Sequence, residues 1–500
     1  MTHVMKTRGC KMTRIYQRLV YQFIIILFPF FMNFSELMSS NIVQQIDPIL
    51  FRDQLRYLMK YDPQIFNDFT QLSDEDKRKL IDQIMDFNLE ILKEQKSLAK
   101  KQSIEENVGF IESFDDFDFY GNEAHIELGQ QLIQKGELGC LLLAGGQGTR
   151  LKASGPKGCY PISVIQNKSL FQLIIEKVKA ASELAGIPMN IAIMTSPEND
   201  KDTQQFFESN DFFGLKRDQI EFFVQKTLPL LNEEGLLFLE TPSKVASGPD
   251  GNGYCISHFV KTGIWDKWNQ KGVKYVNVIP VDNPLADPFD AEFLGFHVDR
   301  QADISFKCAE KKDPHEKVGL LVKIDGQSKV IEYSEMPDSE KELVRENKQL
   351  KHCCANLGLI CFSMSFIKQM SDENRFLPLH KAWKTAKFLN EKGETETSKE
   401  PISWKFEAFI FDWLNYTSKV AALLYPREVC FAPLKNFSGP DSPETVKQAL
   451  YLRDRQVLEN ITGVKAPEFL FELPMEFYYP SQDFINKWRG KLMSKNDESF

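Results

Sequence analysis

The chain has 500 residues, a formal net charge of −9 (61 Lys+Arg against 70 Asp+Glu), 42% hydrophobic and 26% charged residues, and 9 cysteines. This is a globular composition, long enough for one large domain with additions at its ends, and its acidity excludes a general nucleic-acid binder, which needs a basic face for the phosphate backbone. The cysteines form no CxxC pair and no Cys/His cluster of zinc spacing, so they read as reduced small hydrophobes, Cys353 and Cys354 being adjacent.

Residues 1–43 read as an extension. Lys6, Arg8, Lys11, Arg14 and Arg18 precede an apolar run from Leu19 to Phe34. The run resembles a secretory signal, is short for a membrane span of roughly 20 residues, and lacks a convincing cleavage site. Three readings stay open: an upstream start that adds a segment outside the fold, a membrane tether through residues 19–34, and export. The first is carried forward.

From 44 to 136 apolar residues recur at helical spacing, which predicts a helical N-terminal domain. Ser73-Asp-Glu-Asp76 opens a helix with an acidic first turn, running on through Leu80, Ile84, Leu89 and Leu92. The acidic, aromatic stretch from Phe114 to Tyr120 reads as a solvated linker.

A catalytic domain is expected over 137–425. The apolar run Cys140 to Ala144 reads as a buried strand that stops at Gly145, Gly146 and Gly148, with Arg150 and Lys157 just beyond. Such a turn lets backbone N–H groups approach an anion or a flat base. The dinucleotide fingerprint is absent, because Leu151 stands where its third glycine belongs, and no Gly-Lys-Ser/Thr of a P-loop follows. A helix over 170–185, strands at 190–195 and 220–224 and a helix over 200–209 continue a β-α-β-α-β order, the pattern of parallel strands covered on both faces. Gly248-Pro-Asp-Gly-Asn-Gly253 is a second glycine cluster. The strand from Tyr275 to Val281 ends in Asp282, which is placed either to hold a magnesium ion or to make a turn before Pro284. Strands at 304–308, 319–324 and 329–333, the last two joined by Asp325-Gly326, suggest an antiparallel addition. Asn356 to Phe362 and Lys419 to Leu424 read as further strands, 338–351 as an exposed helix or loop, and 390–400 as a surface loop. The histidines read as structural or surface residues. Residues 426–500 are expected to form a small C-terminal domain with one helix to about residue 460.

The motifs Leu143-Ala-Gly-Gly-Gln-Gly-Thr-Arg-Leu151, Pro156-Lys-Gly158, Phe222-Phe-Val-Gln225, Pro249-Asp-Gly-Asn-Gly253, Val281-Asp-Asn283, Val330-Ile-Glu-Tyr-Ser-Glu335, Phe409-Ile-Phe-Asp412 and Pro433-Leu-Lys-Asn436 occur in one order over roughly residues 45–460. In that order the chain resembles the eukaryotic-type UDP-sugar pyrophosphorylases, most of all those making UDP-N-acetylglucosamine. The resemblance implies an α/β, Rossmann-like nucleotidyltransferase fold, a mixed, mostly parallel sheet with helices on both faces, flanked by an N-terminal helical cap and a small C-terminal domain. It implies the reaction of UTP with N-acetylglucosamine 1-phosphate, with Mg2+, giving UDP-N-acetylglucosamine and pyrophosphate. Carried over by position, Gly145, Gly146, Gln225, Gly251 and Asn252 would hold the uridine. Arg150, Lys157 and Lys435 would meet the phosphates and Asp282 the metal. Gly319, Glu332, Asn356, Phe409 and Phe411 would shape the sugar pocket.

Two departures bear on this. The family's glycine after Arg-Leu is Lys152, and its Asn-Ala-Gly-Asn becomes Cys353-Cys-Ala-Asn356. Glucose 1-phosphate or a broad sugar range stays open, as does a protein that binds nucleotide sugars without turnover. UTP is cytosolic, so a cytoplasmic monomer is expected.

Overall fold

A computed structural model describes residues 48–101, 109–153 and 155–493, so the expectations for residues 1–43 and the apolar run 19–34 lie outside the described residues. Among the described residues no helix is long and apolar enough to cross a membrane.

The chain forms two compact units. The first combines the residues up to Lys100 with Pro229–Ser247 and Trp383–Trp404; the second holds Lys101–Leu228, Gly248–Ala382 and Lys405–Phe500. These boundaries do not follow the sequential division at 136/137 and 425/426, because the first unit recruits two later segments by hydrogen bonds. Gln64 Nε2 donates to Leu237 O (2.7 Å), Gln83 Nε2 to Val245 O (2.9 Å) and Gln95 Nε2 to Pro229 O (2.9 Å). Leu231 and Trp404 exchange backbone bonds of 3.2 and 2.7 Å. Buried Lys96 bonds Asp62 (2.7 Å) and Gly235 O (3.0 Å).

The helix opened by Ser73 spans Asp74–Met85, its cap accepting from Asp76 N–H at 3.2 Å. It does not run on through Leu92: the chain breaks at Asp86–Asn88 and a separate helix covers Leu89–Lys100.

The second unit is built on an eleven-stranded sheet. Along the chain its strands are β1 Ile111–Ser113, β2 Phe117–Phe119, β3 Leu138–Leu143, β4 Ile191–Thr195, β5 Ile220–Val224, β6 Tyr275–Pro280, β7 Ile304–Glu310, β8 Leu320–Ile324, β9 Gln327–Ile331, β10 Cys354–Ser363 and β11 Val420–Tyr425. The order is β2-β11-β7-β10-β6-β3-β4-β5, with the β8–β9 hairpin joined to β10 and β1 beyond it. Only β10 runs against its neighbours in the main row.

Leu138–Leu143 is continuously apolar because both faces of the sheet are covered. Leu138, Cys140 and Leu142 join the core with the helix Leu170–Ala185. On the opposite face a Cβ at Gly139 would meet the Trp268 ring at 2.2 Å, so only glycine lets that indole, itself 0% exposed, pack against the strand. Full burial of each leucine contributes about 1.5–3 kcal/mol. Helix Leu170–Ala185 starts at Ser169, which accepts from Gln172 N–H, and stops at left-handed Gly186.

The linker reading of 114–120 is overturned. Phe117–Phe119 is an edge strand, pairing in parallel with β11 through Ala422, Leu423 and Leu424. The aspartates of the stretch point to cations rather than to water alone: Asp116 pairs with Lys323 (2.8 Å), Asp115 with Arg345 (2.6 Å) and Asp118 with Arg300. The 390–400 loop also carries a short strand, Thr395–Thr397, paired with Lys387–Leu389. Residues 443–462 form the expected C-terminal helix, whose Val457 and Leu458 pack with Phe471, Leu473 and Phe477 in a satellite core.

Candidate active site

In a sheet of parallel strands, ligands collect at the carboxyl ends, where loops leave the core. The loop Ala144–Gly148 follows β3, Gln225 follows β5 and Asp282 follows β6. Because β10 is antiparallel, its amino-terminal end, carrying Asn356, reaches the same edge.

The glycine loop is pinned from below. Asn199 Nδ2 donates to Ala144 O (2.9 Å) and Gly146 O (3.3 Å). A Cβ at Gly145 would stand 2.5 Å from Gln225 Oε1. Gln225 in turn donates to Gly251 O at 2.8 Å, which joins the two glycine clusters in one place. Asn252 Oδ1 accepts Ile410 N–H at 3.0 Å and Trp413 Nε1 donates to Gly253 O at 2.8 Å, tying the second loop to the aromatic segment 409–413. Behind it, His258 Nε2 lies 3.1 Å from Asp250 Oδ2. Burial raises the pKa of Asp250, while the His258 hydrogen bond and charge pull it back down.

Lys157 Nζ reaches Asp282 Oδ2 at 3.2 Å, with both side chains largely shielded (13% and 19% exposed). Lys157 N–H also bonds Gly146 O at 3.2 Å. Asp282 O accepts Leu434 N–H at 2.7 Å, and Asn283 clamps the same loop through Cys430 O (2.8 Å) and Ala432 N–H (3.0 Å). Lys435 is therefore brought to the site by contacts made next to the aspartate. Asp282 is the carboxylate paired with Lys157, and no group of three His, Cys, Asp or Glu able to hold a metal occurs among the described residues. One hard oxygen donor fits magnesium, which keeps several waters and takes the remaining oxygens from substrate phosphates.

Arg150, on the short turn Thr149–Leu151, is exposed and enters no hydrogen bond or ion pair among the described residues. Lys152 adopts the left-handed backbone (φ 56°, ψ 24°), the conformation for which glycine is the usual residue. Its ammonium sits 4.4 Å from the centre of the exposed Phe437 ring, a cation–π contact with the loop that carries Lys435.

The expected sugar residues also gather. Gly319 O accepts Asn356 N–H at 2.8 Å, and a Cβ at Gly319 would be 3.0 Å from Glu332 Oε1. Phe409 and Phe411 lie with ring centres 5.1 Å apart. Glu332 has its pKa raised by burial and Glu335, with His380 and Lys435 acting the other way. Cys353 and Cys354 are buried, the thiol of Cys354 facing Phe114 O at 3.9 Å.

The sequence reading missed His258, His380, Asn199 and Asn283. The histidines sit in no motif, although His258 lies one helical turn past the second glycine cluster. Asn283 directly follows the aspartate and was legible as a turn residue, not as a clamp.

A family model described as UTP–glucose-1-phosphate uridylyltransferase matches residues 82–457. A protein of Schizosaccharomyces pombe, named a probable UDP-N-acetylglucosamine pyrophosphorylase, is 33% identical over 87% of this chain and 94% of its own length. The UDP-N-acetylglucosamine pyrophosphorylase of Saccharomyces cerevisiae is 32% identical over 74% of this chain and 79% of its own. The crystal structure of a Trypanosoma brucei UDP-N-acetylglucosamine pyrophosphorylase in complex with inhibitor superposes with a TM-score of 0.71 at 25% identity, covering 83% of this chain and 87% of that one.

Proposed function

Because this chain belongs to the UTP–glucose-1-phosphate uridylyltransferase family and is a UDP-sugar pyrophosphorylase, we propose that its sugar substrate is N-acetylglucosamine 1-phosphate and its product UDP-N-acetylglucosamine. The names of relatives about one-third identical over most of the chain support this choice of sugar. Phe409 and Phe411 offer the apolar wall that an N-acetyl group needs.

The chemistry asks little of the protein beyond alignment and charge. An oxygen of the sugar phosphate, already anionic, attacks the α-phosphorus of UTP in line; the Pα–O bond to the β-phosphate breaks, and pyrophosphate leaves with the electron pair. No general base is required, and positioning plus electrostatic stabilisation carry the rate. In this reading Gly145, Gly146, Gln225, Gly251 and Asn252 seat the uridine, the glycines by close backbone approach. Lys157, Arg150 and Lys435 neutralise the phosphates. Asp282 would hold magnesium, which when bound supplies positive charge to the phosphate oxygens. Gly319, Glu332, Asn356, Phe409 and Phe411 frame the sugar.

The observation that carries the reading is the Lys157–Asp282 pair, flanked by the uridine loops on one side and the Lys435 loop on the other. The pair keeps two charges out of water until the phosphates arrive. We place the enzyme in the cytoplasm, as a monomer, where UTP is available. A panel of sugar 1-phosphates with UTP, magnesium and pyrophosphate detection tests the assignment. N-acetylglucosamine 1-phosphate should give the highest kcat/KM; a higher value with glucose 1-phosphate would overturn the choice of sugar.

A further inference from the structure

One histidine stands among the residues assigned to the sugar. His380 Nε2 is 2.9 Å from Asp412 Oδ2, and its Nδ1 is 4.0 Å from Glu335 Oε1. Its ring centre lies 4.6 Å from that of Phe409 and 6.3 Å from that of Phe411. The same Asp412 Oδ2 accepts the Phe409 backbone N–H at 3.2 Å, so one carboxylate oxygen anchors both the imidazole and the aromatic residue beside it. The charge of Glu332 also acts on His380, and that of Lys435 on Glu332.

Burial alone would drive the imidazolium pKa down. The hydrogen bond to Asp412 and the charges of Asp412, Glu335 and Glu332 outweigh it, so the net shift is upward. A cation here balances carboxylates that would otherwise repel one another next to the sugar.

We propose that His380 is a positioning residue for the sugar moiety, fixing the Phe409 ring through Asp412 and supplying the positive charge that Glu332 faces. The proposal rests on the reading above for placing the sugar beside Glu332 and Phe409. Uridine contacts are spared: the links from this segment to the uridine loop run from Ile410 N–H to Asn252 Oδ1 and from Trp413 Nε1 to Gly253 O, not through the imidazole. Glu332, whose carboxylate is favoured by the charges of His380 and Lys435 against the effect of burial, accepts hydrogen bonds from sugar hydroxyls while Phe409 packs on the apolar face of the ring.

The test is calorimetric binding of UDP and of UDP-N-acetylglucosamine or UDP-glucose, whichever the wild type binds more tightly, from about pH 6 to about pH 9. The ratio of the UDP Kd to the UDP-sugar Kd isolates the sugar. His380→Gln keeps a donor for Asp412 without the charge, and His380→Phe keeps the packing alone. Both should lower the ratio by about 10-fold, the value of one charge-assisted contact, with UDP affinity held within about twofold. In the wild type the ratio should be full below the raised His380 pKa and fall as pH rises through it; in His380→Gln it should be flat. An unchanged ratio in folded variants, equal weakening of both ligands, or a wild-type ratio of about one or flat with pH overturns the proposal. If a variant fails to fold, the wild-type pH series decides. Turnover is not read here, so a failure of the sugar 1-phosphate panel and a failure of this proposal are separate results.

Discussion

Replacing Gly251 by alanine bears directly on the joining of the uridine loop to the aromatic segment. Gly251 has φ +89°, and a Cβ would stand 2.2 Å from Ala408 O, 2.8 Å from Ala408 N and 3.0 Å from Glu407 Cβ. The Ala408 backbone would have to retreat by about 1 Å to reach ordinary contact. Three bonds resist this: Ala408 N–H to Asp250 O (2.8 Å), Gly253 N–H to Ala408 O (2.9 Å) and Ile410 N–H to Asn252 Oδ1 (3.0 Å). A left-handed alanine costs about 1–2 kcal/mol, and losing two of the three bonds costs about 1 kcal/mol each, so the variant should lose roughly 3–4 kcal/mol. Gly251 O also takes the Gln225 amide, so the KM for UTP should rise. Gly263→Ala is the matched control, with φ +77° but nothing within 4 Å of its Cβ, and it should lose only the backbone share. Urea denaturation and steady-state kinetics supply the two readings. A loss below about 1 kcal/mol for Gly251→Ala, with the UTP KM within about twofold, would refute the reasoning.

Other consequences are equally open to measurement. Lys157→Met and Asp282→Asn should each lower kcat/KM for pyrophosphate release by about 10²–10³-fold, and the double variant should lose less than the product of the two, because they share one interaction. Lys152→Gly relieves about 1 kcal/mol of left-handed strain and forfeits about 0.5–1 kcal/mol of cation–π attraction, so its denaturation midpoint should hardly move. Phe437→Ala should then destabilise the wild type more than it destabilises Lys152→Gly. Burial raises the Asp454 pKa to about 7 from an ordinary 3.8, with Tyr478 and Leu473 N–H pulling against it. The unfolded chain therefore loses this proton first, and its contribution to stability falls as pH rises from about 4 to about 7; Asp454→Asn should remove that slope in pH-dependent denaturation.

The parallel part of the sheet was legible because short apolar runs such as Ile191–Thr195 and Tyr275–Pro280, the latter broken only by Asn277, end at turn residues, and their length excludes helices. The edge strand Phe117–Phe119 was hidden by Asp118 within it and by Asp115 and Asp116 just before it. Its period-two alternation was there to be read, but the cations that receive those aspartates, Lys323, Arg345 and Arg300, lie about 200 residues away. Helices Cys255–Lys261 and Ile264–Gln270 escaped because seven-residue segments show too little periodicity. Motif order located the loops of the site, whereas the groups that orient them, Asn199, Asn283, His258 and His380, act through tertiary contacts that no local pattern announces. Lys152 is the instructive case. Sequence marked it as a departure, and only the backbone angle shows that Lys152 takes a left-handed conformation while the ammonium turns to Phe437.

The first compact unit has a consequence for biosynthesis. Its helices from Pro48 to Lys100 bond Pro229–Ser247, which in turn bonds Trp383–Trp404, the last segment of the unit to be made. A ribosome adding about 5–20 residues per second takes roughly 15–60 s to go from Lys100 to Trp404. During that time Leu58, Leu80 and Leu92, all but inaccessible in the finished unit, wait without their full cover. A segment translated about 300 residues earlier is thus completed only when Trp404 has been added, and it is a part for which chaperone attendance during translation should matter.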